Sequence, residues 1–193
     1  MNGMAVPADL YVSPAEYLAL ERASEGRKCE YIDGHVSAMA GTSFAHFKIC
    51  ANFSAALVSR LRGSEWSAGG SDLRVFTPST STYSYPDLLV VCGAPRFHDD
   101  QKDVLLNPIV VIEVLSPSTE VYDRGLKFDR YREFDSLREY VLVSQDRIAV
   151  DVFERSDSAW TFRSYPAASP LLRLASVNLE VSLSEIYDGL ALA

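Results

Sequence analysis

The hydrophobic pattern opens with Ser13-Pro14 followed by Ala15, Glu16 and Leu18, the N-cap, first-position proline and early acid of a short peripheral helix reaching about Arg22. Lys28–Ile32 and His35–Met39 are short runs on either side of Asp33-Gly34, a pair that predicts a two-stranded antiparallel hairpin. Thr42 or Ser43 can cap the next segment. Phe47, Ala51, Ser54, Val58 and Leu61 fall there at helical spacing and Gly63 supplies a stop, which predicts a long, largely buried helix. Trp66–Ala68, Leu73–Phe76 and Tyr85–Val91 read as strands, separated by Gly-Gly and by the Ser/Thr-rich stretch Thr77–Thr82.

A polar loop, Ala94–Asn107, leads to Pro108–Leu115, which is too short and too β-branched for a helix and apolar on both faces, as a central strand should be. Ser116-Pro117-Ser118-Thr119 ends it. Phe128, Tyr131 and Phe134 then mark an amphipathic helix from about Asp123 to Asp135. Glu139–Ser144 and Ile148–Glu154, joined at Gln145-Asp146-Arg147, predict a hairpin, and Thr161–Tyr165, Leu171–Leu174 and Val177–Val181 add short strands. Ser182-Leu183-Ser184-Glu185 is a capping box opening a last helical turn. The sum is an α/β chain with a mixed sheet and flanking helices.

With 193 residues and 48% hydrophobic composition, the chain is expected to form one domain, 1–193, around its own core. No run approaches the ~20 apolar residues that cross a bilayer. The start, MNGMAVPADLYVSPAEYL, lacks the basic head and apolar stretch of a signal peptide, so a cytoplasmic protein is expected. Cys29, Cys50 and Cys92, odd in number and irregularly spaced, read as buried reduced thiols. Eighteen basic against 26 acidic side chains give a net charge of −8, which repels phosphate, and neither half of the chain is basic. Any polyanion must be held locally.

Two acids sit at telling places. Glu113 interrupts the apolar strand, and burying an unpaired carboxylate costs several kcal/mol unless it is paired, protonated or metal-bound. Asp87, in Tyr85-Pro86-Asp87, stands at the entrance of another apolar strand. An acid at a strand end can equally be satisfied by backbone donors or an arginine. On neighbouring strands the two would form an oxygen-rich pocket. With the main-chain carbonyl of Val114 beside Glu113, the donor set suits Mg²⁺, with Mn²⁺ as a substitute, and not zinc. Asp123 and Lys127 lie four apart, so a lysine could return to this pocket; an N-cap role for Asp123 and a solvated Asp/Lys pair are the competing readings. His46 and Cys50 could share a helical face, but without a further ligand pair they do not make a zinc site. The chain carries no G-x-S-x-G elbow, P-loop or G-x-G-x-x-G, so no nucleotide cofactor is expected.

Tyr85-Pro86-Asp87, then Val111-Ile112-Glu113-Val114-Leu115-Ser116-Pro117-Ser118-Thr119, Asp123 with Lys127 and Tyr131, and Glu139-Tyr140-Val141-Leu142-Val143 resemble the Uma-two family of restriction endonucleases, within the PD-(D/E)XK nuclease superfamily. The likeness runs from about Tyr11 to Asp188 and includes Glu30, Asp33-Gly34 and His46. It implies a restriction-endonuclease-like αβββαβ core with an added N-terminal helix and hairpin, and Asp87 and Glu113 as metal ligands. The superfamily's lysine two residues after the glutamate is replaced by Leu115, and Lys127 from the following helix matches the migrated lysine. Glu30 and His46 match positions near the pocket; a hydrogen-bonded core histidine is the plainer reading of His46.

The expected function is metal-dependent hydrolysis of DNA. Asp87 and Glu113 hold the ion, Lys127 orients the attacking water or stabilises developing charge, and Glu30, His46 and Asp123 are further site candidates. DNA should bind weakly and salt-sensitively, and a homodimer would let two copies of one site cut both strands. A non-catalytic binding module on the same fold and a nuclease acting on RNA are the alternatives.

Overall fold

In the computed structural model, residues 11–24, 28–39, 41–157 and 159–192 are described. The leader reading therefore rests largely on residues outside the described ones. Ser13 caps α1 (Pro14–Ala23): its hydroxyl accepts from the Glu16 amide while the Glu16 carboxylate accepts from the Ser13 amide. Strands β1 (Cys29–Ile32) and β2 (His35–Ala38) form the expected hairpin, pairing Ile32 with His35 across a tight turn. Asp33 and Gly34 both have positive φ, 48° and 91°. A Cβ at Gly34 would lie 2.2 Å from the Tyr11 ring. Gly34→Ala is therefore expected to cost about 1–2 kcal/mol, read as a lower urea midpoint; an unchanged midpoint would mean that the turn does not need glycine.

The central sheet has six strands and is preceded in the chain by a second helix. Ser43 caps α2 (Phe44–Leu61), which is followed by β3 (Trp66–Gly70). Further along come β4 (Arg74–Thr77), β5 (Thr82–Ser84), β6 (Leu88–Cys92), β7 (Val104–Leu105) and β8 (Pro108–Leu115). Strands β3, β6 and β8 form an antiparallel run. A helical crossover then returns the chain so that β9 (Glu139–Ser144) lies parallel to β8, with Glu113 opposite Leu142. The crossover comprises α3 (Glu120–Tyr122), a π-turn (Asp123–Lys127) and α4 (Phe128–Tyr131). With β10 (Ala149–Ser156) and β11 (Ala159–Pro166), the sheet reads β11-β10-β9-β8-β6-β3. The path α2-β3-β6-β8-crossover-β9 is the αβββαβ core.

Alternation along β8 sends Val110, Ile112 and Val114 to the α2 face, against Ile49, Phe53 and Leu57. Val111 and Leu115 go to the opposite face, against Tyr131, Leu137 and Tyr140. The hairpin joins β5, β4 and β7 in a second sheet, β2-β1-β5-β4-β7, with Tyr17, Tyr31 and Tyr83 in its core. The last elements are β12 (Leu171–Leu174), β13 (Leu179–Ser182) and α5 (Leu183–Ile186), which the capping box of Ser182 and Glu185 opens. Among the described residues, no helix is long and apolar enough to cross a membrane.

Several local expectations need correction. Helix α2 buries Ile49, Phe53, Ala56, Leu57 and Leu61, whereas Phe47 and Val58 are exposed. The segment is apolar on more than one side, so spacing alone picked the wrong stripe. Tyr85–Asp87 precede the strand rather than lie within it, Thr82–Ser84 pair as β5, and the polar loop carries β7. The crossover helix begins at Glu120 and ends at Tyr131, so Asp123 is not its cap. The three cysteines are half-buried rather than fully buried.

Candidate active site and metal centre

Two buried glutamates belong to the central sheet, Glu139 at the start of β9 and Glu113 within β8, and their surroundings differ. Glu139 accepts from the Ala175 amide (2.7 Å), from the Ser176 amide (3.2 Å) and from the Ser176 hydroxyl. Those donors satisfy it as a structural acid. Glu113 projects from the middle of the sheet toward the crossover helix and is 3% exposed. Its neighbours are side chains: the Lys127 ammonium at 3.0 Å and the Tyr131 hydroxyl, which donates at 2.9 Å, both to Oε1.

Lys127 and Tyr131 are one turn apart, so both reach Glu113 from the same side of the crossover. The π-turn that holds Asp123 and Lys127 is a rare local form, commonly found at functional positions. Asp123 lies 3.7 Å from the Lys127 ammonium, and the Tyr140 hydroxyl donates to the Asp123 carbonyl at 2.9 Å. The hairpin brings the fourth member: Glu30 is 3.2 Å from Lys127 and accepts from the Tyr85 amide, also at 3.2 Å. The Tyr122 hydroxyl is 3.5 Å from its other oxygen.

Burial pushes the Glu113 carboxyl well above the usual carboxylate range; Lys127 opposes this, while Asp87, Asp123 and Glu30 add to it. Asp123 is raised for the same first reason. Burial alone would lower the Lys127 ammonium, but Glu113, Glu30 and Asp123 outweigh it and hold the group well above the lysine range. Lys127 is therefore a fixed cation among three acids.

Asp87 precedes β6, whose Leu88 pairs with Ile112, so it falls beside Glu113. Its Oδ2 accepts from the Val114 amide at 2.8 Å, and the His46 Nε2 lies 3.1 Å from that oxygen. The other ring nitrogen of His46 is 3.5 Å from the Cys50 sulfur, one turn further along α2. The sheet end thus gathers Glu30, Asp87, Glu113, Asp123 and Lys127, with His46 on the α2 side. Tyr122 carries no local signal, because its partner Glu30 lies 92 residues away, and Tyr140 is visible only as part of the family-like strand Glu139–Val143. Cys50 was visible as a neighbour of His46, but its third companion, Asp87, was not.

The residues fit a divalent cation. Among the described residues, the contacts named above fall on Oδ2 of Asp87 and Oε1 of Glu113, which leaves Oδ1 and Oε2 as hard oxygen donors. Three carboxylates, Glu30, Glu113 and Asp123, face one ammonium, and the charge of Asp87 also acts on Glu113, an excess of negative charge that such an ion offsets.

The fold and sequence have known counterparts. A crystal structure from Anabaena variabilis, described as "a putative nuclease belonging to DUF820", superposes with a TM-score of 0.71 over 91% of this chain and 97% of that one, at 18% identity. That likeness establishes a restriction-endonuclease-like mixed α/β fold. The protein slr1290 of Synechocystis sp. is 39% identical over 183 residues, 93% of each chain. A second Synechocystis sp. protein, sll1609, is 31% identical to this chain over 182 residues, 94% of this chain and 97% of that one. The family model described as "Putative restriction endonuclease" matches residues 14–185, nearly the whole length, and the chain belongs to this family, Uma2.

Proposed function

We propose that the protein is a Mg²⁺-dependent endodeoxyribonuclease, with Mn²⁺ as a substitute ion, whose site comprises Asp87, Glu113 and Lys127. The observation that carries this reading is the meeting of two acids, Glu113 in β8 and Asp87 at the entrance of the adjoining β6, with a buried lysine 3.0 Å from Glu113. Asp87, Glu113 and the Val114 carbonyl would hold the ion. When bound, it supplies positive charge to the scissile phosphate and acidity to a water. Lys127 keeps its proton and donates a hydrogen bond to the attacking water or to the oxygen on which charge develops. Tyr131 fixes the Glu113 carboxylate by its hydroxyl. Glu30 and Asp123 hold the ammonium in place from two further directions. Leu115 stands where a lysine is expected in the superfamily, and the crossover helix restores the missing charge from Lys127.

Nearby arginines offer little to DNA: Arg124 is bound to Glu120 and Asp151, and Arg130 to Asp33. Phosphate contact then falls to the ion and Lys127, so binding is weak and salt-sensitive. The test is incubation of the purified protein with supercoiled plasmid and labelled duplex in Mg²⁺, Mn²⁺ or chelator. Linear products that need the divalent ion support the reading and its two-copy form; nicked circles support a single copy. Cleavage of RNA but not DNA would move the substrate assignment. Failure to cut any nucleic acid in either metal would leave a binding module instead.

A further inference from the structure

The mechanism above leaves His46 and Cys50 unused, although both border Asp87. They occupy positions i and i+4 of α2 and present nitrogen and sulfur on one face, while Asp87 reaches them from the entrance of β6. One ligand atom from each of the three lies within 4.8 Å of the others. In a tetrahedral zinc site, bonds of about 2.0–2.3 Å place ligands roughly 3.4–3.7 Å apart, so shifts of about an ångström close the gap. All three are half-buried, sheltered yet reachable by an ion.

We infer that His46, Cys50 and Asp87 form a binding site for a zinc-class transition ion, distinct in donor chemistry from the all-oxygen pair of Asp87 and Glu113. Thiolate and imidazole select borderline and soft ions and are poor ligands for Mg²⁺. The ion takes one ring nitrogen of His46 and breaks the contact that this atom now makes, either with Cys50 or with Asp87. Burial, with the charges of Asp87 and Glu113, keeps the Cys50 thiol protonated in the ion-free protein. As the sulfur–metal bond forms, that proton leaves to solvent. Three protein ligands leave the fourth position to water, so the site is open. Because Asp87 belongs to both donor sets, zinc bound here withdraws it from the Mg²⁺ position, and zinc then acts as an antagonist of the proposed nuclease.

The test uses Co²⁺ as a spectroscopic stand-in for zinc on the reduced, metal-stripped protein and reads light absorption, so it does not depend on cleavage. The expected result is a saturable spectrum with the visible bands of four-coordinate Co²⁺ and a near-ultraviolet thiolate-to-cobalt band, displaced by stoichiometric zinc. Cys50→Ser should abolish the thiolate band, whereas serine variants of Cys29 and Cys92 keep it. His46→Gln should weaken binding at least tenfold. Glu113→Gln, which disables the proposed Mg²⁺ pair, should bind Co²⁺ like the parent, and this separates the failure of one reading from the failure of the other. A thiolate band that survives Cys50→Ser, a six-coordinate oxygen spectrum, or no uptake of micromolar zinc would overturn the inference.

Discussion

Asp87→Asn and Glu113→Gln are each expected to slow Mg²⁺-dependent cleavage of a labelled duplex by at least about 10³-fold, equivalent to about 4 kcal/mol of transition-state stabilisation. Both replacements keep the neutral hydrogen bonds. The Asn amide oxygen can still accept from the Val114 amide, and the Gln oxygen can still accept from the Tyr131 hydroxyl. Folding should therefore survive while the anionic oxygens are lost. Far-ultraviolet circular dichroism and the urea midpoint separate the two effects. Parent-like rates from either variant would remove that residue from the site, and equal losses of rate and of folded protein would assign it a structural role.

Lys127→Met is expected to have the largest effect on the fold. The lysine is 6% exposed and faces Glu113, Glu30 and Asp123, so its removal leaves three carboxylates without their cation. Breaking a buried pair in this way costs about 3–5 kcal/mol. The loss should grow with pH. Glu113 and Asp123 have raised folded-state values, so the folded chain holds more protons than the unfolded one above the ordinary carboxylate range near 4. Stability contributed by these two groups consequently falls as pH rises through their folded values, and without the ammonium those values rise further. Urea unfolding of the metal-free variant should show a deficit that grows from pH 5 to pH 8. A deficit below about 1 kcal/mol at both would mean that Lys127 behaves as a solvated surface charge.

Much of this arrangement is legible in the residues, because it follows from local rules. An apolar octet with a single acid makes a central strand with a buried carboxylate, and Pro108–Leu115 is that strand. Asp33-Gly34 and the Ser182/Glu185 box specify their turn and cap through backbone chemistry a few residues long. The four-residue step from Asp123 to Lys127 permits the lysine to turn inward, although the π-turn that carries it has no local signature beyond a glycine among polar residues. What could not be read is set by distant partners. Thr82–Ser84 is too short and polar to announce a strand and becomes one by pairing along its length with β4 and, at Tyr83, with the distant Tyr31. Glu30 reaches Lys127 only because the hairpin docks across the sheet end, a separation of nearly a hundred residues. The buried stripe of α2 was ambiguous because phenylalanines and alanines occupy both candidate faces.

One divalent ion shared by Asp87 and Glu113 is central to the proposed chemistry, and a crystal soaked in Mn²⁺ tests it most directly by anomalous scattering at the manganese edge. The expected result is a single strong peak within bonding distance of a carboxylate oxygen from each residue, lost in the Asp87→Asn crystal. A well-soaked crystal with no such peak, or with manganese bound to one of these acids and out of reach of the other, would contradict the account.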